Sequence, residues 1–131
     1  MSKFEPVPER TEHVAKDIVN AAYRVHKTLG PGLLEHVYER CLMHELSKIG
    51  RDVKRQEKVA VHYDGITIDD GLRLDLLVDD RVICELKSVE EIHEVYKAQL
   101  LTYLRLTNKR LGLLINFNVA IIKNGIRRII L

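Results

Sequence analysis

The stretch Arg73–Ser88, RLDLLVDDRVICELKS, constrains this chain most. It reads as two strands joined at Asp79-Asp80. Both arms are dominated by apolar residues, so the hairpin belongs near the centre of the fold. Three charges interrupt it: Asp75, Glu85 and Lys87. An unpaired charge is costly to bury, so each needs a partner, a metal or a task. Glu85 and Lys87 are two apart and share one face of a strand. Two carboxylates and an ammonium meeting at one point suit a divalent metal and a phosphate.

The pleat sets a condition on that meeting. A two-residue turn at Asp79-Asp80 places Asp75 opposite Cys84, and Glu85 then faces away. A three-residue loop centred on Asp80, or a bulge near Asp75, brings Asp75 opposite Glu85 instead.

The rest of the chain supplies layers for this hairpin. Residues 1–8 hold Pro6 and Pro8 and read as a flexible arm. A helix is predicted over Glu9–Leu29, with Val14, Ile18, Ala21, Ala22, Val25 and Leu29 on one face. Gly30-Pro31-Gly32 breaks it and lacks the Lys-Ser/Thr of a phosphate loop. A second helix is predicted over Leu33–Ile49, closed by Gly50, with Leu34, Val37, Tyr38, Cys41, Leu42 and Ile49 as its apolar face. Glu35 lies on the border of that face, where the helix dipole alone favours an acid.

Alternation over Val53–Tyr63 predicts a strand, and a short segment Ile66–Ile68 follows. Ser88 to Glu91 has the form of a capping box for a third helix ending near Thr107. Ile92, Val95, Tyr103 and Leu106 mark its buried stripe, with Gln99 in the middle, where an amide needs partners. Leu111–Phe117 reads as an interior strand. Asn124-Gly125 signals a C-terminal hairpin between Val119–Lys123 and Ile126–Ile130. The expected class is α/β, one domain over residues 1–131, with a central mixed sheet flanked by helices.

Bulk properties exclude several functions. A formal net charge of +2 on 131 residues implies no large positive field. Cys41 and Cys84 form no CxxC pair, which fits a reducing compartment without structural zinc. No apolar run approaches a membrane span and no signal peptide opens the chain, so a cytoplasmic location is expected. Ser2, Ser47 and Ser88 sit in no nucleophile elbow. The six histidines include no i,i+4 helical pair for zinc.

Asp75, followed ten residues later by Glu85-x-Lys87, resembles the PD-(D/E)XK nuclease superfamily. Gly32-Leu-Leu-Glu35-His-Val-Tyr38 is similar to the motif of the GxxExxY family within it, and Gln99-Leu-Leu-Thr-Tyr103 resembles the QxxxY motif of the RecB-like branch. Leu74 stands where the superfamily name has proline. The resemblance implies a restriction-endonuclease-like core and a deoxyribonuclease activity. It also implies Mg²⁺ or Mn²⁺ held by Glu35, Asp75, Glu85 and the Leu86 carbonyl. Lys87 would orient or activate the attacking water, and Gln99 and Tyr103 would line the site.

The chemistry agrees on its own terms. Hard oxygens select Mg²⁺ or Mn²⁺. Such an ion activates water and clamps phosphoryl oxygens.

The competing reading is a catalytically silent module that keeps the fold and binds nucleic acid or protein. Its motivation is the small size and near-neutral charge. The expected partner is DNA, with Lys54-Arg55, Lys109-Arg110 and Arg127-Arg128 as candidate phosphate contacts. A homodimer, paired through the C-terminal hairpin, would give a one-site domain two cuts.

Overall fold

The computed structural model describes residues 5–131. Helix α1 spans Glu9–Leu29 and α2 spans Glu35–Lys48. Strands β1 (Val53–Tyr63), β2 (Ile66–Val78) and β3 (Val82–Lys87) follow, then α3 (Glu94–Thr107), β4 (Leu111–Asn116) and β5 (Ile126–Ile130). The five strands form one sheet in sequence order. Only β3 and β4 run parallel, and the other neighbours are antiparallel, so the sheet is mixed. Among the described residues no helix is long and apolar enough to cross a membrane.

Two apolar cores explain the layers. The larger joins Val14, Ile18, Ala21, Ala22 and Val25 of α1 and Tyr38, Leu42 and Leu46 of α2 to one face of the sheet. The smaller packs Leu100 and Leu104 of α3 on the other face, against Leu74, Leu77, Ile83 and Leu114. Helix α3 lies close on β4 because Gly112 has no side chain: a Cβ there would meet Leu100 at 2.8–2.9 Å.

The ends of α2 show why it stops where it does. At its C-terminus Gly50 takes φ +86°. Its amide donates to Ser47 O and the Arg51 amide to Leu46 O, which satisfies the last free carbonyls. At its N-terminus Tyr38 fastens the Gly-Pro-Gly break. Its hydroxyl donates to Gly30 O at 2.6 Å and accepts from the Leu33 amide at 3.0 Å. The same ring stacks on Phe117, with centroids 4.5 Å apart and planes 5° from parallel. Leu34 and Ile49, expected on the buried face, are 68 % and 50 % exposed. They flank the helix as its cap residues, and Leu46 takes up the burial instead.

Four further expectations are corrected. Ile66–Ile68 is not separate but the start of the thirteen-residue β2. Ser88 does not cap α3: its hydroxyl donates to Leu33 O, and the helix begins at Glu94 with His93 before it. Val95 and Leu106 are 66 % and 48 % exposed, and the buried residues of α3 are Leu100 and Leu104. Val119–Lys123 forms no strand. Ile122 turns into the main core as part of a 3-10 turn, and the Val119 carbonyl accepts a 2.7 Å bond from His26 Nε2. The C-terminal hairpin is therefore β4 against β5, with Leu111 opposite Ile130 and Ile115 opposite Ile126.

Of the N-terminal arm, residues 1–4 lie outside the described residues. Arg110 donates to the Glu5 and Pro6 carbonyls, and Val7 packs on the main core, so Glu5–Val7 is held to the domain.

Tyr38→Phe keeps the Phe117 stack and removes only the hydroxyl. It should lower unfolding free energy by about 1–2 kcal/mol, the loss expected when buried hydrogen bonds are broken. Tyr38→Ala should cost about 3–5 kcal/mol. Urea denaturation of both variants checks this.

A carboxylate pair where two strands part

The loop between β2 and β3 is Asp79-Asp80-Arg81. Val78 pairs with Val82, Leu77 with Ile83 and Leu76 with Cys84. Asp79 and Asp80 carry φ of +52° and +55°, a conformation Asp tolerates better than most residues. Asp79 is clamped on three sides. Its carboxylate accepts from Arg51 Nη1 and from the Asp52 amide, both at 2.7 Å, and its amide donates to Asp52 O at 2.8 Å. Arg51 also reaches Asp17 of α1 at 2.9 Å. The loop is thus three residues long, which satisfies the condition for Asp75 to face Glu85.

Beyond Leu76 and Cys84 the two strands part, and side chains replace the ladder. The Asp75 amide donates to Glu85 Oε2 at 3.1 Å, and the Leu86 amide donates to Asp75 Oδ2 at 2.8 Å. The N–H and C=O of a strand residue point the same way, so the Leu86 carbonyl opens into this gap as well. The pleat of β2 also inverts here. Leu72 and Leu74 pack on the α3 side, whereas Leu76 and Val78 pack on the α1/α2 side, although all four have even numbers. Asp75 lies at the inversion.

Glu85 is 6 % exposed. Burial, and then the Asp75 carboxylate beside it, pushes its pKa up to about 9. Lys87 lies half-buried on the same strand face, its Nζ 4.5 Å from the Tyr96 ring centroid. Tyr103 stands half-buried on α3, and its hydroxyl is pushed upward by burial and by Glu85 and Asp75, so it stays a donor at neutral pH. Cys84 is fully buried, and burial drives its thiol upward, which makes it a packing residue. The strand end is fixed by Asn116, 1 % exposed, whose amide bridges the Val89 backbone, while the Phe117 amide donates to Lys87 O.

Other expected site residues stand further out. Glu35 is exposed in the first turn of α2, on a groove with Gly32, Leu33, His36, Ser88 and Asn118. Among the described residues it makes no hydrogen bond to the pair. Gln99 is exposed rather than buried, on the α3 face that carries Tyr96 one turn before and Tyr103 one turn after.

Two residues were missed by the sequence reading. Glu39, one turn deeper than Glu35, is 4 % exposed and accepts from Arg55 Nη1 at 3.0 Å and Gln56 Nε2 at 2.9 Å. Gln56 Nε2 also lies 3.5 Å from Asp75 Oδ1. The available signal for Glu39 was its i,i+4 spacing from Glu35, beside the buried Tyr38. Tyr96 was legible as the residue seven before Tyr103, on the same helix face.

Among the described residues, no group of three or more His, Cys, Asp or Glu is placed around one ion. The pair itself still fits a hard divalent cation. It offers two carboxylates and a carbonyl, and Mg²⁺ sites commonly fill the remaining positions with water. The proton that Glu85 keeps at neutral pH marks a surplus of negative charge that such a cation would relieve.

A mixed sheet carries helices on both faces, and an acid pair plus a lysine stand where two of its strands part. The chain belongs to the PD-(D/E)XK nuclease superfamily, whose family model matches residues 12–129. Its fold is restriction-endonuclease-like. No curated protein matches the chain, and no solved structure does.

The Glu85 shift has a definite sign. The fold holds this proton to about pH 9, while the unfolded chain releases it near 4.5. Its contribution to stability is complete below about pH 4.5 and is lost as pH rises toward 9. The melting temperature of the metal-free protein should therefore fall from pH 5 to pH 9, and Glu85→Gln should flatten that fall. A slope untouched by the substitution would place the titration elsewhere.

Proposed function

We propose that this chain is a Mg²⁺- or Mn²⁺-dependent nuclease that hydrolyses phosphodiester bonds of DNA. The observation that carries the reading is the Asp75–Glu85 pair at the strand gap, with Lys87 on the same face as Glu85. Asp75, Glu85 and the Leu86 carbonyl would hold the ion. Bound there, it would supply the Lewis acid that polarises a phosphate and activates water. Glu39 adds negative charge from the α2 side and takes the part that the GxxExxY resemblance gives to Glu35. Glu35 lies further out on the same helix face.

Lys87 supplies the positive charge for the phosphate and orients the attacking water. Tyr96 supports its ammonium with the ring face. Tyr103 donates a hydrogen bond toward the carboxylates or a phosphate oxygen, and Gln99 lines the approach. The basic pairs are only partly available to DNA. Arg55 is paired with Glu39, Lys109 with Asp80 and Arg128 with Glu12. Lys54, Lys58 and Arg73 are exposed on β1 and β2. Strand β5 is an edge strand, with Ile130 49 % exposed, and offers the surface for a two-fold pair.

Two comparisons test this. Lys87→Ala should leave metal binding intact and lower Mn²⁺-dependent cleavage by about two orders of magnitude or more, whereas Asp75→Ala should abolish both. Metal uptake is read by calorimetry, and cleavage on linear, circular and branched DNA. Equal cleavage by Lys87→Ala and the parent overturns the mechanism, and metal uptake without any cleavage favours the silent module. Glu39→Gln should weaken Mn²⁺ binding by about tenfold or more, and Glu35→Gln by less. The reverse order returns Glu35 to the metal.

A further inference from the structure

Gln56 is in a conformation that its residue type does not favour. It lies within β1 with φ +54°, in the left-handed region. Side chains with a full Cβ rarely adopt it, and such strain persists only where surroundings impose it. Arg55 pairs with Leu76 and Glu57 with Leu74, so Gln56 stands opposite Asp75, at the point where the pleat of β2 inverts. Its amide nitrogen lies 2.9 Å from Glu39 Oε2 and 3.5 Å from Asp75 Oδ1. One donor therefore stands between two carboxylates brought in by different elements, α2 and β2. Glu39 is nearly sealed from solvent, and Arg55 holds its other oxygen at 3.0 Å.

We infer that Gln56 is a positioning residue. Its strained backbone aims one amide between Glu39 and Asp75 and fixes how the two carboxylates face the metal site. This rests on the nuclease reading above. The amide turns an electrostatically repulsive pair of acids into an ordered one and leaves Asp75 Oδ2 to the Leu86 amide. Fixing the orientation of a ligand from behind in this way is a recognised source of metal affinity. A strain that served only the path of the β1 backbone would be indifferent to what the side chain carries.

Two substitutions separate the backbone strain from the amide. Gln56→Gly removes the amide and relieves the left-handed strain. Gln56→Met removes the amide, keeps the length of the side chain and keeps the strain. Metal-free melting temperatures and Mn²⁺ isotherms, recorded well below melting, are compared with the parent. Gln56→Gly should melt above Gln56→Met, and both should bind Mn²⁺ roughly tenfold to a hundredfold more weakly than the parent. Cleavage should fall with the binding. If either variant keeps the parental isotherm, or if affinity simply follows melting temperature across the three proteins, the inference is overturned and the nuclease reading stands. A parent that takes up no Mn²⁺ overturns both.

Discussion

The register of β2 on β3 is the constraint on which the rest of the molecule depends. Side chains alternate along a strand, so one residue more or less in the loop would turn Asp75 away from Glu85. The loop holds its length because Asp79 is locked to Asp52 and Arg51, and Arg51 in turn to Asp17 of α1. Electrostatic contacts far from the strand gap thus decide what meets inside it. The ion pairs are partly exposed and individually weak. Their effect lies in selecting one geometry of a loop whose two left-handed aspartates would otherwise be free to adopt others.

A second consequence follows where the ladder ends. Backbone groups exposed by parting strands must find other acceptors. Here the acceptors are the two acids, Glu85 for the Asp75 amide and Asp75 for the Leu86 amide. Keeping the strands apart and holding the acids in place are therefore one interaction. It also explains why Glu85 can be buried beside another acid: its proton removes the repulsion between them.

Much of this was legible in the sequence. Charges inside an apolar hairpin marked Asp75, Glu85 and Lys87, because few other arrangements reward their burial. The bounds of α1 and β1 followed from clean periodicity and clear breakers. Three of the failures share a cause, which is competition from a distant partner. Ser88 has the form of a cap, yet the Leu33 carbonyl claims its hydroxyl. Asn124-Gly125 has the form of a tight hairpin, yet burial of Ile122 draws that segment over the core. Glu39 carries little mark in the sequence, because an acid beside a buried tyrosine has the pattern of a solvated helix edge. Only the Arg55 and Gln56 donors, brought by another element, make its burial tolerable. The left-handed backbone of Gln56 leaves no mark at all in composition or spacing.

The single parallel pairing also shapes how the molecule assembles. Strands β1, β2 and β3 can zip together through neighbouring residues, but β3 and β4 meet only after the chain between them has crossed the sheet as α3. Closing that long excursion is slow relative to hairpin formation, since distant contacts must be found before they are rewarded. The hairpin bearing Asp75 and Glu85 can thus form early, while Tyr103 arrives with the crossover and Asn116 with β4. Without β4, the sheet would carry the acid pair beside β3 as an unprotected edge. Nascent chains would then be most exposed to aggregation in the interval before residues 111–116 are added to the sheet.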